Sequence, residues 1–230
     1  MVYDGLVGTT RDQPRRRGYG QYCAVARALD VVGERWTLLI VRDLFLGPKR
    51  YTDLRAGLPG IATDLLTARL RTLESAGLVH RRTLPKPAPA TVYELTDRGR
   101  LLGPALGALA QVGFAFLGEP DDDTNLPPER LVLALRAAFD AAGVPDHRAT
   151  YQLQLDDEAF YLVVDGSEVD VAPGSTPHAT LTLNTSPVTL TRVLRGADPD
   201  DAIASGDLRL EGSRPSLDDF LAAFSLQPRA

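Results

Sequence analysis

The chain has 230 residues, 44 % of them hydrophobic and 24 % charged. That composition excludes a disordered or fibrous chain and suits a globular protein with room for two small domains. One Cys excludes an intramolecular disulfide framework and fits a reducing cytoplasm. The formal net charge of −5 hides a split: residues 1–118 carry 17 Lys and Arg against 10 Asp and Glu, residues 119–230 carry 8 against 20. Two modules with different partners are expected, the basic one facing a polyanion.

The chain opens Met-Val-Tyr-Asp-Gly, without the apolar core of a signal peptide. The "RRRG" run at Arg15–Gly18 reads as a solubilising tail, with a minor-groove arm as the alternative. "CAVARALDVVGERWTLLIVRDLFLG" is apolar at helical spacing and is broken at Gly33, a C-cap signal. A short helix around Tyr51–Ala56 ends near "GLPG". A longer helix follows, with Thr63 as N-cap and Gly77 as stop. "LVHRRTL" and "TVYELT" predict two short strands around the tip "PKPAPA", and Thr96 caps the next helix. That last helix carries an uncharged run, residues 101–118, interrupted by Gly103, Pro104, Gly107 and Gly113. Its Leu102, Leu106, Leu109 and Phe116 make a seam for another helix rather than a membrane span.

The helix over residues 62–76 has two unlike sides. Ala62, Leu65, Leu66, Leu70 and Leu73 fall on one, and Arg69 lies near them, which marks it as structural. Thr63, Asp64, Thr67, Ala68, Arg71 and Ser75 fall away from the apolar centre. That polar strip is small enough for a groove about 12 Å wide, where Arg reads guanine and Thr contacts thymine. A short helix and a tight turn precede it, the order of a helix-turn-helix. Arg81, Arg82 and Lys86 in the hairpin that follows are placed to touch phosphates.

"YCAVARALDVVGERWTLLIVRDLFLGPKRYTDLRAGLPGIATDLLTARLRTLESAGLVHR", with "TVYELTDRGRLL" after it, closely resembles the HxlR-type winged helix-turn-helix regulators over about residues 19–117. The resemblance implies a dimeric bacterial transcription factor binding double-stranded DNA, with Ala62–Ala76 as recognition helix, Leu78–Leu95 as wing and the terminal helices as dimer interface. Cys23 stands where some family members use a thiol sensor, and Ala24 departs from the usual Pro after it. A small buried hydrophobe is the plainer reading of Cys23.

"GEPDDDTNLPPER", residues 118–130, is a linker by its Pro, Gly and Asp content; the expected division is 19–117, linker 118–128 and 129–227. Beyond it, "PPERLVLALRAAFDAAG" predicts an amphipathic helix. "ATYQLQLD", "AFYLVVDG", "SEVDVAP", "ATLTLNT" and "DLRLEG" predict strands. "SPVTLTRVLRG", "DPDDAIASG" and "PSLDDFLAAFSL" predict helices. The expected fold is thus a mainly α winged helix-turn-helix followed by an α+β domain with a mainly antiparallel sheet.

The stretch from His178 to Leu226, with its strand–helix–"RG"–helix–"SGDLRLEG"–helix order, resembles the C-terminal part of sterol carrier protein type 2 domains, and the resemblance covers about residues 128–226, more weakly in the first strands. That likeness implies an apolar cavity for a lipid-like effector, or a dimer scaffold. Tyr151, Leu153, Phe160, Leu162, Leu183, Leu190, Leu194, Leu208 and Phe224 are the candidate lining residues, though such a set equally fills a core. His80, His147 and His178 lack ligand-spaced partners, and no phosphate loop or nucleophile elbow is present. The expectation is a cytoplasmic homodimer that binds DNA and an apolar small molecule, with no enzymatic role, cofactor, metal or membrane. The alternative is a lipid carrier whose winged half only dimerises.

Overall fold

A computed structural model of the chain describes residues 18–85, 89–120, 124, 126–144 and 146–226. Arg15, Arg16, Arg17 and Lys86 lie outside the described residues. The N-terminal unit runs α1 (Ala24–Val32), α2 (Thr37–Leu44), β1 (Lys49–Arg50), α3 (Tyr51–Gly57), α4 (Thr63–Ser75), β2 (Val79–Thr83), β3 (Thr91–Leu95), α5 (Asp97–Arg100) and α6 (Gly103–Phe114). Its sheet has the order β1-β3-β2, all antiparallel, with Val79 opposite Leu95 and Lys49 opposite Tyr93. Two residues are too few for any periodicity, so β1 has no signature in the sequence.

Ile40, Leu44, Leu54, Leu66, Leu70, Leu73 and Leu95 fill the core of this unit and are almost completely buried. Gly33 caps the C-terminus of α1, as expected. Two local expectations change. Thr63 is the first helical residue and not the cap; Ala62 holds the N-cap position and offers no side-chain bond. The helix capped by Thr96 is two helices, broken at Leu101 and Leu102. Pro104 explains the break, because it has no N–H for the carbonyl of Arg100 and its ring crowds that carbonyl. The chain restarts with Pro104 in the first turn of α6, where the missing donor costs little.

The C-terminal unit runs α7 (Pro128–Ala138), β4 (Arg148–Leu155), β5 (Glu158–Asp165), β6 (Glu168–Pro173), β7 (Leu181–Thr185), α8 (Pro187–Leu194), α9 (Pro199–Ser205), β8 (Leu208–Glu211) and α10 (Arg214–Ala223). The five-stranded sheet is ordered β6-β5-β4-β7-β8; β4 and β7 pair in parallel and every other pair is antiparallel. Ser186 and Asp198 cap α8 and α9 with their side-chain oxygens, as their positions before each helix predict, and Ser213, which the sequence reading did not mark, caps α10 in the same way. The helix expected over 127–143 is shorter. Phe139 turns extended to bridge Phe224, and the Asp140 amide donates to the Ala223 carbonyl, so tertiary pairing overrides helical propensity there.

The second core is a separate cluster beneath α7, α8 and α10. Phe220 sits at its centre, fully buried, edge-on to Tyr151 at 5.1 Å and 5.0 Å from Phe224 between ring centroids. Both clusters meet on α6. Its Leu102 side and Leu106 pack on the first core, whereas Ala110 and Phe114 pack on the second. Substituting Phe220→Ala should therefore destabilise the C-terminal unit by about 3–5 kcal/mol in urea denaturation; a loss below about 1 kcal/mol would mean that this aromatic cluster does not hold the domain.

Candidate nucleic-acid interface

α3 and α4 are joined by a turn that the core itself fixes. Leu58 and Ile61 are buried at either end of it, the Ile61 amide donates to the Leu58 carbonyl, and Gly60 takes φ 87°, which favours glycine. Leu66, Leu70 and Leu73 then seat α4 by its apolar side. The other end is closed by a Schellman turn: Gly77 adopts φ 68°, its amide donates to the Glu74 carbonyl, and the Leu78 amide donates to the Leu73 carbonyl. Position and tilt of α4 are thereby set at both ends and along its length.

Thr63, Asp64, Ala68, Arg71 and Ser75 are exposed, as the helical spacing predicts. Thr67 is half-buried. Its hydroxyl donates to the Thr63 carbonyl at 2.9 Å, beside the Tyr51 hydroxyl, which donates to the same carbonyl at 2.8 Å. The donor of Thr67 is thus already in use, which leaves its methyl group and the hydroxyl oxygen as an acceptor for a base. Among the described residues no hydrogen bond or ion pair holds the Arg71 guanidinium, the condition needed for a base-reading arginine. Arg69, by contrast, is tied to Glu34 at 3.0 Å, which agrees with a structural role.

The wing is more balanced in charge than its arginines suggest. Arg81 pairs with Glu74 at 2.7 Å and Arg82 with Glu94 at 3.0 Å. Such exposed pairs contribute about 0–1 kcal/mol and are readily exchanged for phosphate. The Thr96 hydroxyl donates to the Gly77 carbonyl at 2.7 Å and accepts from the Gly99 amide, fastening the base of the wing to the end of α4. Tyr93 of β3 stands opposite Arg81 of β2 in the ladder. Burial pushes its phenol up, with the Arg81 guanidinium working in the opposite direction, so it stays a neutral hydroxyl near the arginines. Tyr51, Glu74 and Glu94 are the members of this surface that periodicity did not mark. Their partners lie across a helix pair or a strand register, which only the fold brings together.

A second surface is apolar. Along α6 and just past its end, Leu109, Val112 and Phe116 recur at spacings of three and four residues, and Phe116 is 82 % exposed. Tyr22, Val25 and Leu29 repeat that spacing at α1 and are exposed as well. Cys23, at the N-cap position of α1, is exposed, so the plainer reading as a buried hydrophobe does not hold.

The nine apolar candidates of the C-terminal unit, Tyr151, Leu153, Phe160, Leu162, Leu183, Leu190, Leu194, Leu208 and Phe224, all fall in one core cluster, none more than 3 % exposed. They pack on one another because strand positions of one parity face α7, α8 and α10 together. His147 has an aromatic partner, its Nε2 lying 2.6 Å from the Tyr151 hydroxyl. Burial chiefly, and Asp219 secondarily, push that phenol's pKa up. Among the described residues no group of three or more His, Cys, Asp or Glu is disposed to hold a metal ion, and no helix is long and apolar enough to cross a membrane.

The family model described as HxlR-like helix-turn-helix matches residues 31–121, and that of the SCP-2 sterol transfer family matches residues 135–224. An uncharacterised HTH-type transcriptional regulator of Synechocystis sp., sll1512, is 36 % identical over 107 residues, 46 % of this chain and 79 % of the relative. Among solved structures, a MarR-family transcriptional regulator of Porphyromonas gingivalis W83 is 29 % identical with a TM-score of 0.40, covering 42 % of this chain and 95 % of that one. The sec-alkylsulfatase Pisa1 of Pseudomonas sp. is 23 % identical with a TM-score of 0.40; the match covers 44 % of this chain and only 16 % of the sulfatase. With a turn fixed between α3 and α4, a wing fastened to the end of α4, the family-model match and the regulator relative, the chain belongs to the HxlR-like helix-turn-helix family of transcriptional regulators, and residues 135–224 match the SCP-2 sterol transfer family.

Proposed function

We propose that this protein is a homodimeric transcriptional regulator that reads double-stranded DNA with α4 in the major groove and braces phosphates with the wing. One observation carries the reading: α4 is locked by three buried leucines while Arg71, on its outward side, is exposed and held by no hydrogen bond or ion pair among the described residues. Thr63, Asp64, Thr67 and Ala68 share that side or its margin, and Arg81 and Arg82 stand beside it. Lys86 would add a third wing cation. The working units in this reading are residues 19–117 and 129–227, joined by 118–128.

The exposed stripe of Leu109, Val112 and Phe116 supports the dimer, because a monomer would leave those side chains in water. Paired winged units place two recognition helices about 34–36 Å apart, matching successive major grooves of a pseudo-palindromic site. Acidic charge on the C-terminal unit orients the dimer by repelling phosphate. An apolar small molecule taken up by that unit is the second part of the proposal, supported by the SCP-2 sterol transfer match. Such a ligand acts by binding two states of the protein unequally. As a regulator of bacterial transcription, the protein would work in the cytoplasm.

Anisotropy titrations on a duplex selected from a random library should separate the two kinds of contact. Arg71→Ala is expected to cost about 1–3 kcal/mol on the selected sequence and little on a scrambled one. Arg82→Ala should weaken both alike and lower the salt slope by about one. Equal losses for Arg71→Ala on both duplexes would remove its base-reading role. Sedimentation of Val112→Asp should show monomers at concentrations where the parent protein is dimeric; an unchanged dimer would move the interface away from α6.

A further inference from the structure

The first turn of α7 belongs to the C-terminal unit by sequence and to the winged unit by contact. Further along the helix, Leu131, Val132, Leu135 and Ala138 are buried in the second core. At its start, Glu129 forms an ion pair with Lys49 of β1, and the Arg130 Nη2 donates to the carbonyl of Gly57, the last residue of α3. Leu46, between α2 and β1, packs against the second core from the winged side. The end of α3 has little freedom of its own. A Cβ on Gly57 would stand 3.0 Å from Asp43 Oδ2, so α3 already abuts α2 there.

These contacts fall at a sensitive place. The final carbonyls of a helix have no partners within it, and a guanidinium from another domain supplies one here. Five residues separate Gly57 from the start of α4, and Leu58 and Ile61 pin that link into the core, so a displaced α3 end carries α4 with it. The seam mixes charge with apolar surface: a cavity of about 50 Å³ there is lined by Asp43, Lys49, Glu129 and Arg130 together with Leu46, Leu54, Pro127 and Leu133.

We infer that Glu129 and Arg130 are positioning residues for DNA reading: through them the C-terminal unit, by way of α7, sets the attitude of the recognition helix. A change in the second core that shifts α7 is then felt at α4 without any contact to DNA. The inference rests on the DNA reading proposed above, and its test separates the two.

The full-length protein and its variants are compared by hydrogen exchange of the Leu58, Ile61 and Leu66 amides, and by anisotropy on the selected and scrambled duplexes. Arg130→Ala and Glu129→Lys should each accelerate exchange at those amides by about 3-fold to 30-fold and lower the selected-to-scrambled affinity ratio by a similar factor. Exchange in β4 should be unchanged. Arg130→Lys, which keeps a donor, and the swap Lys49→Glu with Glu129→Lys should both return to within about twofold of the parent. Unchanged exchange and affinity ratio in Arg130→Ala would overturn the inference. So would exchange that rises equally throughout the protein, or a swap no better than Glu129→Lys alone. If the parent protein selects no duplex at all, the DNA reading fails, while exchange at Leu58, Ile61 and Leu66 still decides whether α7 holds α3 and α4.

Discussion

Burial of Leu66, Leu70 and Leu73 is the interaction on which the rest of this molecule turns. Each of these side chains is fully or almost fully removed from water, worth about 1.5–3 kcal/mol apiece, and together they fix which way α4 faces. The outward side is a consequence of that choice. Arg71 and Ala68 are exposed because a helix that seats its leucines must turn away the residues between them. Tyr51, the Schellman turn at Gly77 and the Thr96 bridge only hold in place what the leucines decide.

Charge is arranged around that frame with restraint. Each wing arginine rests on a glutamate of its own unit, so charge on that surface is near balance. Exposed pairs of this kind exchange partners at little cost, whereas a buried charge would not. The excess of negative charge lies in the other half of the chain, away from the strip on α4. α6 and α7 join the halves physically, since the one contributes to both cores and the other hooks onto β1 and α3. Two units with separate cores therefore share a helical junction and are more than beads on a string.

Much of the fold was legible in the sequence because its signals were local. Caps at Ser186 and Asp198, stops at Gly77 and Gly206, and alternation in β4 and β7 each act over a few residues and survive into the structure. Where the reading failed, a longer-range or stricter steric cause had intervened. Pro104 splits a helix whose apolar spacing looked continuous, and Phe139 leaves α7 to pair with Phe224, far along the chain. On the candidate interface, the exposure of Arg71 and the structural role of Arg69 followed from helical geometry. The use of the Thr67 hydroxyl by the Thr63 carbonyl, the glutamate partners of Arg81 and Arg82, and the reach of Arg130 to Gly57 did not, since none leaves a mark in spacing. The apolar residues of the C-terminal unit show the opposite limit: the same pattern writes a filled core and a lined cavity, and here the nine fill one core.

The central claim is that the outward face of α4 lies inside a groove of duplex DNA. Its most direct test is cross-linking from the middle of that face: Ala68→Cys in a Cys23→Ser background, carrying a short photoreactive group, irradiated on the selected duplex. The account predicts adducts on bases at two places about one helical turn apart, on the major-groove side. Adducts absent from Ala68→Cys but present when the same group is placed at Ser167, on the C-terminal unit, would contradict it.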